Sequence, residues 1–342
     1  MSFPIKPPLA PMEARSVDEI PAEEGWQYEP KWDGFRCLAF RNGDEIYLQS
    51  KAGQPLARYF PDVAKSLGAL KPKRFVLDGE LVVPVKGALS FDELQLRLHP
   101  AASRVQKLAA AHPALFVVFD LLAGTDGKSL LDKALPKRRA ALEVFAAKFF
   151  PNEKQVRLSP ATTDLKQAQK WFEKVGGDLD GIIAKRCECA YASGERSAMV
   201  KIKQIRTVDC VVGGFRYASG ARVIGSLLLG LYDDEGLLHH VGFTSAFKAS
   251  EKAGLTNEFE ALKKPPGFTG NAPGGPSRWS TERSGEWEPV SPKVVVEVTY
   301  DHFTGGRFRH GTKIVRWRKD KSPRQCTLDQ VAGHEGKSLA LL

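Results

Sequence analysis

Glu29-Pro30-Lys31-Trp32-Asp33-Gly34-Phe35-Arg36 is the stretch on which the reading of this chain turns. It lodges a lysine between two runs of strand character, beside an Asp-Gly pair of the kind that closes tight turns. That is an odd place for a solvated surface lysine. Working outward, Arg36-Cys37-Leu38-Ala39-Phe40 and the run EIYLQS (45–50) flank Asn42-Gly43, a two-residue hairpin signal. Upstream, residues 1–25 are Pro-rich and weakly patterned, and read as an extended lead-in. Downstream, FVLDGELVV (75–83) predicts a bent strand or a strand pair, LFVVFDLL (115–122) a buried strand and DGIIAKR (180–186) another. Apolar residues at helical spacing predict helices over 91–111, 137–149 and 164–175. Antiparallel strands mixed with helices, without a repeated βαβ unit, give an α+β class.

Around Arg206 the character changes. VDCVVGGFRY, SLLLGLYD, LLHHVGFT, KVVVEVTYDHF and KIVRWRK are short strand-like runs, and one helical stretch near 247–263 interrupts them. Five or so strands with one helix suit a small β-barrel of the OB type. Residues 265–292, rich in Pro, Gly and Ser, read as a long mobile loop. The expected division is therefore a first domain over 1–205 and an OB domain over 206–342, with the junction near 204–208. A length of 342 residues agrees with two domains.

Composition narrows the function classes. Hydrophobic residues at 42% and charged ones at 26% describe a chain that buries a core. No run of 18 apolar residues offers a transmembrane helix, and the N-terminus lacks the charged start and long apolar stretch of a signal peptide. Five cysteines without framework spacing suit a reducing cytosol. Fifty Lys and Arg against forty Asp and Glu give a net charge of +10, which favours a polyanionic partner. Between Lys293 and Arg324 nine basic residues face three acidic ones, so the basic patch is concentrated in the second half.

Partners for Lys31 follow in order along the chain: Asp78-Gly79-Glu80, Phe119-Asp120, the run from Asp180 to Lys185, and then Lys201 and Lys203, which alternate onto one face of a strand. This succession resembles the covalent nucleotidyltransferases, specifically the ATP-dependent DNA ligases. The KxDGxR pattern stands as Lys31, Asp33, Gly34 and Arg36, and an Arg-x-Asp-Lys match closes the series at Arg318, Asp320 and Lys321. Each motif is weak singly, but six in family order are specific, and together they cover the chain from Trp26 to about Lys321. The run AYASGERSAMVKIKQIRTVDCVVGGF looks closest to the small bacterial ligase C group, which has a nucleotidyltransferase domain and an OB domain.

The resemblance implies that Lys31 carries AMP and that Glu29 reads the adenine amine. It puts Arg36 on ribose or the 5′-phosphate of a nick, Glu80 on ribose or metal, and Phe119 against adenine. Lys185, Lys201 and Lys203 belong to the nucleotide site, and Asp180 holds the place of the metal-binding acid. Arg318 and Lys321 match the pair that orients the pyrophosphate when the OB domain closes over the nucleotide. The residue types suit that chemistry. A lysine attacks phosphorus only as a neutral amine, which neighbouring cations such as Lys201 and Lys203 favour. The same cations neutralise phosphate charge in flight. Mg²⁺ or Mn²⁺ needs hard oxygens and keeps several waters, so one or two carboxylates suffice. Two departures stand out: Lys51 where the family commonly has arginine, and Asp180 where most ligases have glutamate.

The expected function is therefore ATP-dependent sealing of nicks in double-stranded DNA, in repair, by a cytoplasmic, nucleoid-associated monomer. Partners would be nicked duplex DNA and repair proteins of the break-binding or gap-filling kind, with no membrane. Two alternatives are an RNA ligase or capping-type relative, and a non-catalytic OB-type DNA-binding protein with a relic nucleotide site. The cysteines Cys187 and Cys189 have too few companions for zinc, and Lys137-Arg138-Arg139 reads as a solvated helix face.

Overall fold

The computed structural model describes residues 5–151, 153–174, 179–274, 285–331 and 338–342. They form two compact units, one reaching Gln204 and taking in 338–342, the other starting at Ile205.

Two main sheets and a short hairpin of Pro84–Val85 with Ala88–Leu89 build the first unit. One runs in the order Arg15–Ser16, Met199–Lys203, Leu179–Arg186, Trp26–Trp32. The other runs Glu45–Ser50, Phe35–Asn42, Arg74–Val82, Leu115–Ala123, Val156–Leu158. The Asp33-Gly34 turn carries the chain from the first sheet into the second, so Lys31 lies one residue before the end of one strand and Arg36 one residue into the next. Only glycine fits that turn, because a Cβ on Gly34 would sit 2.1 Å from the Leu81 carbonyl oxygen.

The central strands of the five-stranded sheet are buried on both faces, which explains their near-continuous apolar runs. Phe75, Leu77, Phe116 and Val118 face the helices Pro61–Ala69 and Leu135–Phe149. Leu38, Phe40, Val76 and Leu122 pack on the other side with Met12, Tyr191 and Met199. Arg74–Val82 is one continuous strand, and Asp78, Gly79 and Glu80 lie inside it rather than at its end. Residues 338–342 return to this unit, where Leu341 and Leu342 pack with Trp32, Val82, Val117 and Leu179.

Three local expectations shift. Asn42 pairs with Glu45, so the hairpin loop is Gly43-Asp44, with Gly43 taking the left-handed conformation. The helix expected over 91–111 is two, Phe91–Leu96 and Ala102–Ala111. Pro100 lacks an amide donor there, and the buried Arg97 side chain bonds Asp62 at 2.7 Å and the Tyr59 and His112 carbonyls. Arg138 and Arg139 are buried rather than solvated. Arg138 grips Asp120 through two nitrogens at 3.0 Å, and Arg139 donates to the Ser159 carbonyl.

The second unit is a sheet in the order Leu238–Thr244, Ile224–Tyr232, Arg206–Tyr217, Val295–Tyr300, Lys313–Trp317, with Glu288–Pro289 beside Arg206–Tyr217. Phe215, Leu227, Leu229, Val241, Phe259 and Val298 form its core, and Phe259 comes from the helix Lys252–Ala261. Among the described residues the expected barrel is not closed by a ladder. Its ends meet at a bridge between Thr244 and Thr312, where the Thr244 hydroxyl donates to the Thr312 carbonyl at 2.9 Å. In the segment expected as a mobile loop, residues 275–284 lie outside the described residues. The flank before them is anchored, because Phe268 is buried in the core against Trp287 and over Gly213.

Candidate active site

The site is assembled on one face of the four-stranded sheet. In its ladder Lys31 stands opposite Gly181, Glu29 opposite Ile183 and Gln27 opposite Lys185, while Lys201 and Lys203 stand opposite Ile183 and Gly181. Directly paired residues share a face, so alternation along three strands brings Glu29, Lys31, Lys185, Lys201 and Lys203 together. Asp180 would point away on a regular strand. A bulge between Leu179 and Gly181 shifts the register at this residue and turns it inward. Its carboxylate contacts the Lys31 amine on one oxygen and lies 3.4 Å from the Lys203 amine on the other. Gly181 makes this possible. Its φ is +131°, and a Cβ there would sit 1.9 Å from the Ile202 carbonyl oxygen. Burial, then the charges of Lys31 and Lys203, hold the Lys201 amine below its ordinary pKa.

At the other end of the cluster, Glu29 accepts from the Gln27 amide and from the Lys185 amine, each at 2.8 Å, in a fully enclosed pair. The second sheet supplies the opposing wall. Arg36 pairs across the ladder with Glu80, and its guanidinium donates to both oxygens of Asp78 at 2.6 Å. Phe119 sits at a second bulge, where Asp78 pairs with Asp120 but Gly79 with Val118. The guanidinium carbon of Arg36 lies 4.5 Å and the Lys185 amine 4.6 Å from its ring centre, which is cation–π contact distance. Glu29, Lys31, Arg36, Glu80, Phe119 and Lys185 line one cavity of about 80 Å³.

Arg318 and Lys321 lie in the second unit, brought together on Asp209 at 3.0 and 2.7 Å. Arg318 also forms a fork with Asp320. Three partners were not read from the sequence: Asp78 as the clamp of Arg36, Gln27 as the second donor to Glu29, and Asp209. For Gln27 a usable signal exists, since it precedes Glu29 by two residues on the same strand face. For Asp78 and Asp209 no sequence spacing points to the partner.

This constellation of a partly buried lysine, a second cationic strand and two acids on facing sheets is what covalent nucleotidyl transfer needs. Residues 7–203 match the family model for the ATP dependent DNA ligase domain, and residues 220–321 match that for the ATP dependent DNA ligase C terminal region. The chain belongs to the ATP-dependent DNA ligases. It is 44% identical to DNA ligase C2 of Mycolicibacterium smegmatis and 41% identical to DNA ligase C of Mycobacterium tuberculosis, each over 97% of this chain and 96% of the relative. A solved Lig E DNA ligase shares the fold, with a TM-score of 0.54 at 14% identity over 90% of this chain and 99% of its own. The expectation of a nick-sealing ligase of the C group therefore holds, and the RNA ligase and capping alternatives lose their ground.

As an enzyme of this family the ligase uses ATP and a divalent cation. Its donor set fits such an ion. Among the described residues no cluster of three or more metal-ligating side chains forms, but a cation that keeps its waters needs only one or two carboxylates. Glu80 lines the cavity. Burial first, with the charges of Asp33 and Asp78 adding to it against Arg36 and Lys31, pushes its carboxyl up to about 7.

An acid whose pKa is raised in the folded protein contributes stability at low pH that is lost as pH rises toward 7, while the ionised form it then takes is the one that binds a cation. At limiting Mg²⁺ the rate of self-adenylylation by the ligase should therefore rise with pH, with a midpoint no higher than about 7, because a bound cation pulls the carboxyl down. Glu80→Gln should be slower and lose that limb. Rates measured against pH in both proteins check it, and an identical pH profile for the variant would remove Glu80 from the titration.

Proposed function

We propose that this ligase seals nicks in duplex DNA by three phosphoryl transfers in which Lys31 is the nucleophile. The amine attacks the α-phosphorus of ATP and releases pyrophosphate. AMP then passes from Lys31 to the 5′-phosphate of the nick. The 3′-hydroxyl finally attacks that phosphate and expels AMP. Each step is mainly positioning and charge stabilisation.

The observation that carries this reading is the gathering of Lys31, Lys201 and Lys203 around the bulged Asp180. Asp180 holds the amine in place before ATP arrives, and Asp180 and Glu80 are the carboxylates that would hold a divalent cation. Such an ion, Mg²⁺ or Mn²⁺, supplies charge neutralisation on the phosphates. Lys201 and Lys203 stabilise negative charge on the transferring group. Glu29, held on both oxygens, offers its carboxylate to the adenine amine, and Phe119 and Lys185 bound the base. Arg36 takes the ribose or the nick phosphate, while Arg318 and Lys321 orient pyrophosphate. The enzyme acts as a cytoplasmic monomer at the nucleoid, in DNA repair, alongside a break-binding or gap-filling protein. The basic second half supports binding to a polyanion, as does a concavity of about 600 Å³ in the second unit that Arg216, Tyr217, Phe243 and Trp287 line.

Single alanine variants at Lys201 and Lys203 test the assignment. Each should slow lysyl-AMP formation by about a hundredfold, the usual loss for one preorganised charge-stabilising group. The measurement is a single-turnover rate with saturating ATP. Wild-type rates in both variants would contradict it.

A further inference from the structure

We propose that Tyr191 is a positioning residue for Arg36, acting through Asp78. The inference rests on the reading of Arg36 as a nucleotide or nick contact and adds a residue to that site.

Tyr191 is 5% exposed and its ring packs in the cluster that holds Met12, Leu38 and Phe40. Its hydroxyl donates to one carboxylate oxygen of Asp78 at 2.6 Å and accepts from the Met12 amide at 3.1 Å. Asp78 is completely buried. Its two oxygens receive the Arg36 fork, so the oxygen bound by Tyr191 also takes the Arg36 terminal nitrogen. A buried carboxylate needs donors on its oxygens, and a third donor beside the Arg36 fork restricts its orientation. Remove the hydroxyl and Asp78 gains a rotational freedom that Arg36 shares. Arg36 lies over Phe119 at 4.5 Å, so the freedom reaches the wall of the cavity. Burial, with the Asp78 charge behind it, pushes the Tyr191 hydroxyl well above its ordinary pKa, and it therefore remains a donor at working pH.

The same contact ties in the chain's lead-in. The Gln49 side chain holds Leu9 by its amide and its carbonyl at 2.9 and 2.6 Å. The Ser193 hydroxyl donates to the Ala10 carbonyl, and the Glu13 amide donates to the Glu195 carbonyl. Residues 9–13 are thus fixed between the hairpin strand and the loop after Tyr191, and the Met12 amide meets the hydroxyl that orients Asp78. The segment that reads as an unpatterned leader is the outer brace of the Arg36 clamp.

The test is a double-mutant cycle on KM for ATP in nick sealing, with Tyr191→Phe and Arg36→Ala singly and together. Tyr191→Phe keeps the ring and its packing and deletes the hydrogen bond to the Asp78 carboxylate together with the one from the Met12 amide, so KM should rise about tenfold. In the Arg36→Ala background the same substitution should change KM by less than about twofold, because contacting residues couple. If Arg36→Ala lowers the amount of folded protein, Arg36→Lys serves as the background, since lysine keeps the charge without the fork. An unchanged KM in Tyr191→Phe overturns the proposal. So does a rise of equal size in both backgrounds, which would make Tyr191 a support of the fold alone. An Arg36→Ala enzyme with wild-type KM and rate would instead overturn the reading of Arg36, and the proposal with it.

Discussion

Lys31→Ala is expected to abolish lysyl-AMP formation and with it ATP-driven nick sealing, by a factor on the order of 10⁴ or more, as for the loss of a covalent nucleophile. No other residue on that sheet face can replace it. Lys201 and Lys203 project from a strand two positions across the sheet, and Lys185 is spent on Glu29. Lys31→Arg should be equally inactive, because a guanidinium stays protonated and cannot attack. The loss should be selective. A nick whose 5′-phosphate already carries AMP needs no lysine nucleophile, only a positioned 3′-hydroxyl, so Lys31→Ala should seal it within about tenfold of wild type. Assays on plain and pre-adenylylated nicks separate the two. A variant dead on both would mean that Lys31 holds up the site rather than reacting.

The largest effect on stability is expected from Arg138→Ala. Arg138 and Asp120 are each about 1% exposed, joined at two points, and Arg138 also donates to the Lys133 and Cys189 carbonyls at 2.6 and 3.3 Å. Removing one partner of a buried pair strands the other charge and costs about 3–5 kcal/mol. Asp120 already has a raised pKa, through burial first and against the pull of Arg138 and Lys185. Without Arg138 it will take a proton more readily, so the deficit should shrink as pH falls toward 5 and grow as pH rises. Asp120 follows Phe119 directly, and the variant should also weaken ATP binding by loosening that bulge. Urea unfolding at pH 5 and pH 8 checks the sign. A loss below about 1 kcal/mol at both would show that the pair is not needed.

Much of the site is legible in the sequence because its residues obey strand alternation. Lys201 and Lys203, and Glu29 and Lys31, are two apart on strands whose β-character is plain, so their shared faces follow. The order of the motifs is also legible. What alternation cannot give is the pair of bulges. Asp180 and Phe119 enter the site only because each strand gains a residue at that point, and nothing in DGIIAKR or LFVVFDLL marks the slip. Gly181 is the nearest thing to a signal, since its left-handed φ and the close Ile202 carbonyl admit only glycine.

Buried charges are the second blind spot. Arg97 and Arg138 lie in polar-looking helical stretches, yet both turn inward because distant carboxylates, Asp62 and Asp120, await them. The lead-in before Trp26 was opaque for a related reason. Its order comes from single contacts to Gln49, Tyr191, Ser193 and Glu195 rather than from any pattern of its own. The open ends of the second sheet belong to the same class, since strand content predicts the number of strands but not whether the first and last join in a ladder.

If Lys31 carries the nucleotide, mapping the covalent adduct will find AMP on its side chain. Protein first stripped with pyrophosphate, then incubated with labelled ATP and Mg²⁺ without DNA, would be denatured, digested and sequenced by mass spectrometry. One AMP per chain is expected, on the Lys31 side chain, absent in Lys31→Ala and not formed from GTP or NAD. Label on any other residue, or none at all after the pyrophosphate treatment, would contradict it.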